Sequence, residues 1–233
     1  MLINGIYHIG CIGNYKSVVE EQLSLFHKKD MSGKSLYQRI DKLIIFLTNL
    51  SEKDFLQQFD PKHKFEFHSV PLSERENYTI NHFRSYLSEN VDILFYFHTK
   101  GVSRKENVFQ ERRKILNYYI LEQYKLCIEL LEKYDTVGCS LYRFPQLHFS
   151  GNFWWCRKSF LDTLPKKINQ NYLTPEMFIG YSYKKNPLYC SLSQRTNHDP
   201  LFLHKKRTTD IIKKNLQEKP FQNYWNQNLI KYT

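Results

Sequence analysis

The stretch from Asp92 to Gly101, DILFYFHTKG, constrains the fold more than any other part of the sequence. Its apolar run, Ile93 to Phe97, is too short for an independent helix and lies between an acidic residue and a glycine-containing end, which predicts a fully buried strand of a parallel sheet. The strand then ends in three polar residues, His98, Thr99 and Lys100. Ligands of open α/β sheets sit beyond the carboxyl ends of the strands. These residues therefore predict the floor of an anion site, and a diphosphate is the anion we expect.

Strand and helix patterns alternate through the first half of the chain. Leu2 to Ile9 is rich in β-formers and precedes a helical pattern that begins near Tyr15. Further strands are expected at Ile40 to Thr48 and at Phe65 to Val70. This alternation predicts βαβ units, and therefore an α/β fold whose mostly parallel central sheet has helices on both faces.

A short loop, Gly10-Cys11-Ile12-Gly13-Asn14, joins the first strand to the first helix. Its glycines permit a close approach of the backbone, and the following helix offers free N–H groups to a ligand. The loop does not match G-x-G-x-x-G, however, and a tight turn without a ligand explains the same spacing equally well. Both interpretations stay open on spacing alone.

Length and charge limit the number of domains and the kinds of binding partner. A chain of 233 residues with 41% hydrophobic residues can bury one substantial core, so we expect one domain over residues 1–207 and a short helical extension over 208–233. The formal net charge of +11 favours polyanionic partners such as nucleotides, nucleic acid or an acidic membrane surface. The basic residues between Arg104 and Lys114 could line the mouth of an anion site, although a solvated face is the usual explanation for such a run.

The cysteines and the N-terminus bear on the compartment. The five cysteines are scattered without a C-x-x-C spacing, which indicates neither a disulfide framework nor a zinc site and favours a reducing cytoplasm. The N-terminal MLINGIYHIGCIG lacks a basic region and is broken by glycines, so we expect a first strand there and no signal peptide. No uninterrupted apolar run of about 18 residues is present, so no transmembrane helix is expected.

A second informative segment is Leu147 to Cys156, LHFSGNFWWC. Aromatic residues flank Ser150-Gly151-Asn152, which predicts a sharp turn that presents His148 nearby. Successive side chains of a strand point to opposite faces, so Trp154 and Trp155 cannot enter the same core layer. One of the two rings is therefore expected to stack on a sugar or a base.

The YFHTKG of Tyr96 to Gly101, the HFSGNFWW of His148 to Trp155 and the order of elements together resemble one group of glycosyltransferases. The group is of the GT-A, or nucleotide-diphospho-sugar transferase, type found in bacterial surface-polysaccharide clusters and large viruses. The resemblance covers roughly residues 3 to 190. It implies a single GT-A-like domain, a nucleotide-sugar donor, with a UDP-sugar expected, and transfer of the sugar to a hydroxyl of a glycan or glycolipid acceptor. With the reducing compartment that the cysteines favour, we expect a cytoplasmic enzyme without a nucleic-acid partner. Peripheral contact of the C-terminal tail with the inner face of a membrane stays open.

The resemblance also assigns site residues. Residues expected to bind the donor belong to the ends of the first and fourth strands and the loops beyond them: Ile9, Gly10, Asn14, Tyr15, Thr99, Gly101 and Arg104. Residues expected to bind the acceptor or its sugar belong to the aromatic segment and to the C-terminal loop: His148, Ser150, Gly151, Asn152, Trp154, Trp155 and His198.

One departure from the resemblance concerns a metal. GT-A enzymes typically carry an Asp-x-Asp whose carboxylates hold Mn²⁺ or Mg²⁺ on the donor diphosphate, but this sequence has His98-Thr99-Lys100 at that place. Hard cations prefer oxygen ligands. We therefore expect protein cations, Lys100 above all with His98 as a donor, to stabilise the leaving diphosphate. The metal itself stays open, since His98 could instead be one metal ligand.

Thr174-Pro175-Glu176 predicts the start of a helix, with Thr174 as N-cap and Pro175 at the first helical position. In one interpretation, Glu176 complements the helix dipole and has a structural role. In the other, implied by the resemblance, Glu176 is the general base that deprotonates the acceptor hydroxyl in an inverting transfer.

Two other functions fit parts of the sequence. A GT-A-like protein could bind a nucleotide without catalysing transfer. The charge and the many aromatic rings also fit a nucleic-acid-binding protein. Against this, the basic residues are spread along the chain, and no helix-turn-helix, RNP or zinc pattern is visible.

Overall fold

The computed structural model describes residues 1–103, 107–169, 171 and 173–193. These residues form nine strands: β1 (Ile3–Ile9), β2 (Lys42–Leu47), β3 (Phe65–Ser69), β4 (Ile93–His98), β5 (Thr136–Gly138), β6 (Leu141–Tyr142), β7 (His148–Phe149), β8 (Trp154–Arg157) and β9 (Tyr189–Ser191). They also form eight α-helices: α1 (Tyr15–His27), α2 (Leu36–Arg39), α3 (Lys53–Gln57), α4 (Arg75–His82), α5 (Asn107–Asn117), α6 (Tyr124–Leu130), α7 (Lys158–Leu161) and α8 (Thr174–Met177). A π-helical turn, Tyr118–Glu122, joins α5 to α6.

Seven strands form one sheet in the order β3-β2-β1-β4-β8-β5-β9, and β6 pairs with β7 in a small second sheet. The pairs β1–β2, β1–β4, β2–β3 and β5–β9 are parallel. Strand β8 runs antiparallel to both of its neighbours, β4 and β5. The predicted α/β fold with a mostly parallel central sheet is therefore confirmed.

The winding of the sheet reverses between β1 and β4. The chain adds β2 and then β3 on one side of β1, and it returns to place β4 on the other side. In open α/β sheets, ligands bind beyond the carboxyl ends of the strands at such a reversal. The polar end of β4 lies at this reversal.

Apolar side chains cover both faces of the sheet, and helices pack on each. One core lies against α1, α5, the π-helical turn and α6, and it includes Phe95 and Phe97 of β4. The other lies against α4, α7 and the 3-10 turn Phe178–Gly180 that follows α8, and it includes Leu94 and Tyr96. Strand β4 is buried along its whole length, as its apolar run predicts.

The two tryptophans of β8 separate between these cores. Trp155 stacks on Phe95 with ring centroids 4.4 Å apart, and Trp154 stacks on Tyr96 at 5.4 Å. The prediction that the two rings cannot share a layer is confirmed. Both rings are fully buried, however, so neither is exposed for stacking on a sugar or a base.

The start of α8 differs from the prediction. Leu173 occupies the N-cap position with no side-chain hydrogen bond, and Thr174 is the first helical residue, so the prediction of Thr174 as N-cap is wrong. Pro175 lies in the first turn, where its missing N–H costs no helical hydrogen bond. Glu176 is therefore the third helical residue, one position further from the helix start than a Thr174 cap would make it.

Some predictions fall outside the described residues. Arg104, His198 and the predicted helical extension over 208–233 belong to this group. Within the residues that the structure does describe, no helix combines the length and the apolar character needed to cross a bilayer.

Candidate active site at the ends of the first and fourth strands

The carboxyl ends of β1 and β4 are hydrogen bonded side by side. His8 and His98 are register partners, and the Thr99 amide donates to the His8 carbonyl oxygen at 3.1 Å. The Thr99 hydroxyl accepts a hydrogen bond from the Gly10 amide at 3.0 Å. Thr99 is 5% exposed, so the strand end is more enclosed than the sequence predicts and the Thr99 hydroxyl already has a protein partner.

The loops beyond β1 and β4 pack on each other. Gly13 has φ +58°, and a Cβ added there would lie 2.1 Å from the Val102 carbonyl oxygen. Contact between the loops therefore requires this glycine, which supports the plain-turn interpretation for Gly13. Asn14 is exposed ahead of α1, and its side chain makes no capping hydrogen bond to that helix. The Tyr15 amide donates to the Ile12 carbonyl oxygen at 3.2 Å, and the next N–H groups of the first turn are left to water or a ligand.

Other residues predicted to bind the donor have structural contacts of their own. Ile9 is fully buried, and its carbonyl oxygen accepts from the Thr48 amide at 3.1 Å, so the residue presents no surface to a ligand. Gly101 has φ +78°, and a Cβ there would lie 3.1 Å from Phe109 Cβ. Tyr15 lies in the first turn of α1, where burial and then Glu52 raise the pKa of its hydroxyl.

His98 is held by protein groups at both ring nitrogens. Its Nε2 lies 3.0 Å from the Gly151 carbonyl oxygen, and its Nδ1 lies 3.1 Å from Glu76 Oε1. The residue is 7% exposed. The ring therefore has no free nitrogen to offer as a donor to a diphosphate, which was its predicted role.

Glu76, at the start of α4, is a central residue of this site that sequence reasoning missed. Its Oε1 accepts hydrogen bonds from the Tyr96 hydroxyl at 2.8 Å and from Asn152 Nδ2 at 3.2 Å. Burial raises the pKa of the Glu76 carboxyl, but His98, His8 and Lys100 outweigh burial and hold it well below its usual range. The one sequence signal was an acidic residue in the first turn of a helix, and many helices have one.

The Ser150-Gly151-Asn152 turn meets the end of β4 and the start of α8. The Gly151 amide donates to Glu176 Oε1, and the Ser150 carbonyl oxygen accepts from Arg112 Nη2 at 2.7 Å. Asn152 has φ +55° and accepts a hydrogen bond from Trp154 Nε1 at 3.0 Å. The structure thus brings His98, the turn and Glu176 together, as the resemblance implies, and their chemical roles stay predictions.

His148 lies away from this cluster of contacts. It is a buried residue of β7, its Nδ1 lies 2.7 Å from the Gln146 carbonyl oxygen, and its ring stacks on Tyr142. The His148 ring is therefore too buried to contact an acceptor, which was its predicted role.

Lys100 is the accessible cation at the end of β4. The residue is half-buried, and its carbonyl oxygen accepts from Arg113 Nη1 at 3.1 Å. Arg113 itself is buried and pairs with Glu21, with Nη2 2.9 Å from Glu21 Oε2. Arg113 thus holds the main chain of the strand end, whereas Lys100 adds positive charge beside Glu76.

A second polar network holds the same strand end from the opposite face of the sheet. Gln22 Nε2 donates to the His98 carbonyl oxygen at 3.1 Å and to Asn117 Oδ1 at 3.0 Å. Asn117 donates to Glu21 at 2.7 Å, and the Tyr7 hydroxyl donates to Gln22 at 2.7 Å. Satisfied buried networks make a single conformation rigid, so the end of β4 is fixed before any ligand binds.

His8 lies on the same face of the sheet as His98. Its Nδ1 lies 2.8 Å from the Thr79 hydroxyl. Burial, together with the charge of His98, lowers the pKa of His8 to about 4 although Glu76 opposes the shift. His8 is therefore neutral near pH 7 while Glu76 beside it is ionised.

The side chains that the structure describes do not fit a resident metal ion. Across the described residues, no three His, Cys, Asp or Glu side chains form a group that could hold one. Both nitrogens of His98, the residue considered as a single metal ligand, face protein acceptors. No step of the proposal below is therefore assigned to a metal.

Comparison with known families identifies the chain. Residues 10–173 match the family model described as Domain of unknown function (DUF8361). The chain belongs to the DUF8361 family. The matched residues of this DUF8361 protein include Glu76, His98 and the Ser150-Gly151-Asn152 turn, and they end shortly before Glu176.

Solved structures with a similar course of the chain share little of its sequence. The manganese complex of Rv0371C from Mycobacterium tuberculosis H37Rv is 7% identical, with a TM-score of 0.49 and coverage of 91% of this chain and 98% of that chain. A cytidylyltransferase from Leptospira borgpetersenii serovar Hardjo-bovis (strain JB197) is 12% identical, with a TM-score of 0.43 and coverage of 100% and 98%. The 4-diphosphocytidyl-2C-methyl-D-erythritol synthase from Anaerococcus prevotii DSM 20548 is 10% identical, with a TM-score of 0.43 and coverage of 93% and 96%.

A search of curated proteins gave no significant match to this DUF8361 chain. The structural similarities above fall below a TM-score of 0.5 and carry no functional conclusion. The roles discussed below rest on the residues of the chain itself.

Proposed function

We propose that this protein transfers a glycosyl group from a nucleotide-diphosphate sugar to an acceptor hydroxyl. The observation that supports the proposal is the strand order β3-β2-β1-β4, whose winding reverses next to the polar end His98-Thr99-Lys100. Ligands of wound α/β sheets bind outside the carboxyl ends of the strands at such a reversal. The resemblance of the YFHTKG and HFSGNFWW segments supports a nucleotide sugar as that ligand.

The donor is proposed to lie over the loops that follow β1 and β4. The uncapped first turn of α1, which follows Asn14, offers N–H groups beyond that of Tyr15, and Lys100 offers one cation. The Gly10 amide already donates to the Thr99 hydroxyl, so it is not counted among the groups that bind the donor. Helix N-termini and cations both favour a diphosphate. A UDP-sugar is the donor we expect, and Lys100 takes the role first given to Lys100 and His98 together.

The acceptor is proposed to bind beside the Ser150-Gly151-Asn152 turn, with Glu176 as the base. The acceptor oxygen attacks the anomeric carbon while Glu176 takes the hydroxyl proton. The bond from the anomeric carbon to the diphosphate oxygen breaks, and the nucleoside diphosphate leaves as an anion next to Lys100. Attack from the face opposite to the leaving group inverts the anomeric centre, which agrees with a single carboxylate as base.

The proposed acceptor is a glycan or glycolipid of surface-glycan synthesis, and the proposed compartment is the cytoplasm. Exposed apolar residues such as Leu72 and Leu173 on the described surface are compatible with peripheral contact at a membrane. Flotation with anionic vesicles tests this part separately, and the absence of binding would remove the membrane from the proposal.

The function is tested by ligand binding followed by turnover. A thermal-shift panel of UDP-, GDP- and CMP-sugars and CTP should show stabilisation by one nucleotide sugar, because a ligand that binds the folded state raises its stability. Release of the nucleoside diphosphate, with and without chelator, then tests transfer. Stabilisation without turnover would indicate a nucleotide-binding protein that is not an enzyme. Salt-sensitive DNA binding without any nucleotide response would overturn the proposal.

A further inference from the structure

We propose that Glu76 is a positioning residue: it keeps the His98 ring doubly protonated, and the charged ring holds the turn that anchors Glu176. The effect on catalysis rests on the proposed function. The protonation of His98 does not, because it follows from contacts within the folded chain.

The partners of His98 require a proton on both ring nitrogens. A carbonyl oxygen can only accept hydrogen bonds, so Nε2, 3.0 Å from the Gly151 oxygen, must donate. In a neutral ring the other nitrogen, Nδ1, would then present a lone pair to the Glu76 carboxylate at 3.1 Å. Two electron-rich atoms at that distance repel, whereas N⁺–H facing a carboxylate is a strong contact.

The partners of Glu76 leave its Oε1 without a proton, in agreement with its lowered pKa. The same oxygen, Oε1, accepts from the Tyr96 hydroxyl and from Asn152 Nδ2, which leaves no place for a proton on that atom. Its side chain is 25% exposed, so solvent screens the pair only in part. Burial and the Glu76 charge raise the pKa of Tyr96 well above its usual range, so the Tyr96 hydroxyl stays a donor.

The other charged and titratable groups around the pair are consistent with this assignment. His8 on β1 is neutral near pH 7, and Lys100 after β4 adds a cation next to Glu76. Glu176 on α8 reaches the pair through the Gly151 peptide, and Arg112 on α5 reaches it through the Ser150 carbonyl. Additional hydrogen bonds help to offset the cost of burying a charged pair. Here Glu76 Oε1 also accepts from Tyr96 and Asn152, and His98 Nε2 donates to the Gly151 carbonyl oxygen.

These contacts form a continuous chain from α4 to α8. Glu76 holds His98, His98 donates to the Gly151 carbonyl oxygen, and the Gly151 amide donates to Glu176. Glu76 also holds Asn152 directly. Loss of the Glu76 charge therefore weakens its contacts with His98 and Asn152, which both hold the turn, and the anchor of Glu176 shifts with it.

Nitrogen-15 NMR of the histidine rings in the full-length protein tests the protonation directly. At pH 7.5, where a typical histidine is mainly neutral, we expect both His98 ring nitrogens to show chemical shifts of an imidazolium. The His98→Gln variant identifies the signals by their loss. Chemical shifts that show one unprotonated His98 ring nitrogen in the unmodified protein would by themselves overturn the proposal.

Two isosteric variants then isolate the role of Glu76. Glu76→Gln should make His98 neutral at pH 7.5. Glu66→Gln is a matched control, because Glu66 pairs with His68 at 2.8 Å on the more exposed edge strand β3. The Glu66→Gln variant should leave the His98 signals unchanged. Imidazolium shifts of His98 that persist in folded Glu76→Gln would also overturn the proposal.

The kinetic readout applies once a donor has been found. Glu76→Gln should lower kcat by roughly 10²-fold with little change in donor affinity, because a misplacement of about 1 Å has that effect on a catalytic group. Glu76→Asp, which restores the charge, should recover part of the loss. Absence of transferase activity would refute the proposed function but not the protonation of His98, which the NMR experiment tests separately. Failure of the function and failure of the His98 assignment are therefore distinguishable.

Discussion

At the residue scale, Lys100 is the described cation that the proposal places beside the leaving diphosphate. Replacing Lys100 by Met keeps much of the stem and removes the charge. We expect donor affinity to fall by roughly 10- to 100-fold, since hydrogen bonds to charged groups contribute about 1.5–3 kcal/mol. Isothermal titration with the identified nucleotide sugar measures the change.

Lys133→Met is the control for this prediction. Lys133 is exposed just before β5, at the edge of the sheet where the parallel strands begin. Its replacement by Met therefore makes the same change of charge far from the proposed site. Equal loss of affinity in both variants would show that Lys100 acts through net charge alone.

Glu176 permits a substitution that separates its two roles. Glu176→Gln keeps an oxygen that can accept from the Gly151 amide but cannot take a proton from the acceptor. We expect kcat to fall by about 10² to 10⁴-fold, the usual contribution of a general base, with donor affinity unchanged. Retained turnover in Glu176→Gln would leave Glu176 a structural role only.

His8 makes stability depend on pH. Its pKa in the folded protein is about 4, against an ordinary value of 6.5. As the pH falls below 6.5, His8 becomes protonated in the unfolded chain but stays neutral in the folded protein. The free energy of unfolding therefore falls by about 3 kcal/mol by pH 4. Above pH 6.5 the contribution is fully present.

Urea unfolding at several pH values measures this effect. The variant His8→Gln, which can still bond to Thr79, should lose less stability between pH 6.5 and pH 4 than the unmodified protein. His63→Asn is the control, because His63 is exposed at φ +53° and Asn adopts this conformation readily. Parallel curves for His8→Gln and the unmodified protein would contradict the prediction.

The residues of the site were predictable to different degrees. The polar end of β4 and the Ser150-Gly151-Asn152 turn stand out because polar residues follow apolar runs there. Glu76 does not stand out, because its partners Tyr96, His98 and Asn152 are 20, 22 and 76 positions away in the sequence. The partners of the two His98 ring nitrogens likewise depend on tertiary packing, and no local sequence pattern predicts them.

At the element scale, the contact between the loops after β1 and β4 is open to a direct test. Gly13→Ala combines strain at φ +58° with a Cβ 2.1 Å from the Val102 carbonyl oxygen. Gly33→Ala carries similar strain at φ +73° but meets nothing within 4 Å. We expect Gly13→Ala to lose about 1–3 kcal/mol more stability to urea than Gly33→Ala. Equal losses would indicate that the two loops do not hold each other.

Hydrophobic pattern predicted the main elements but not how they are capped or joined. The strands β1, β2, β3 and β4 all fall where their apolar runs indicate. The start of α8 was misjudged because Thr174 is a good N-cap by type, whereas in the fold Leu173 takes that position. Capping preferences contribute only about 1 kcal/mol, so tertiary contacts readily override them.

At the scale of the whole molecule, the alternation of strand and helix was enough to predict the fold class. It was not enough to predict the direction of β8, because the direction of pairing depends on which distant strands flank it. Its antiparallel course has a functional result: the turn that precedes β8 arrives at the edge where β1 and β4 end. The acceptor-side turn and the donor-side strand end therefore meet because of one reversed strand.

The separation of Trp154 and Trp155 into two cores has a consequence for how this chain can vary. Gly151 is fixed by His98 and Glu176, and three and four residues later Trp154 and Trp155 must each enter a separate layer. One residue gained or lost between these points would exchange the indoles between the layers, since every side chain of a strand changes face with a shift of one. Natural variants should therefore tolerate changes of length almost anywhere on the surface before they tolerate one between Gly151 and Trp154.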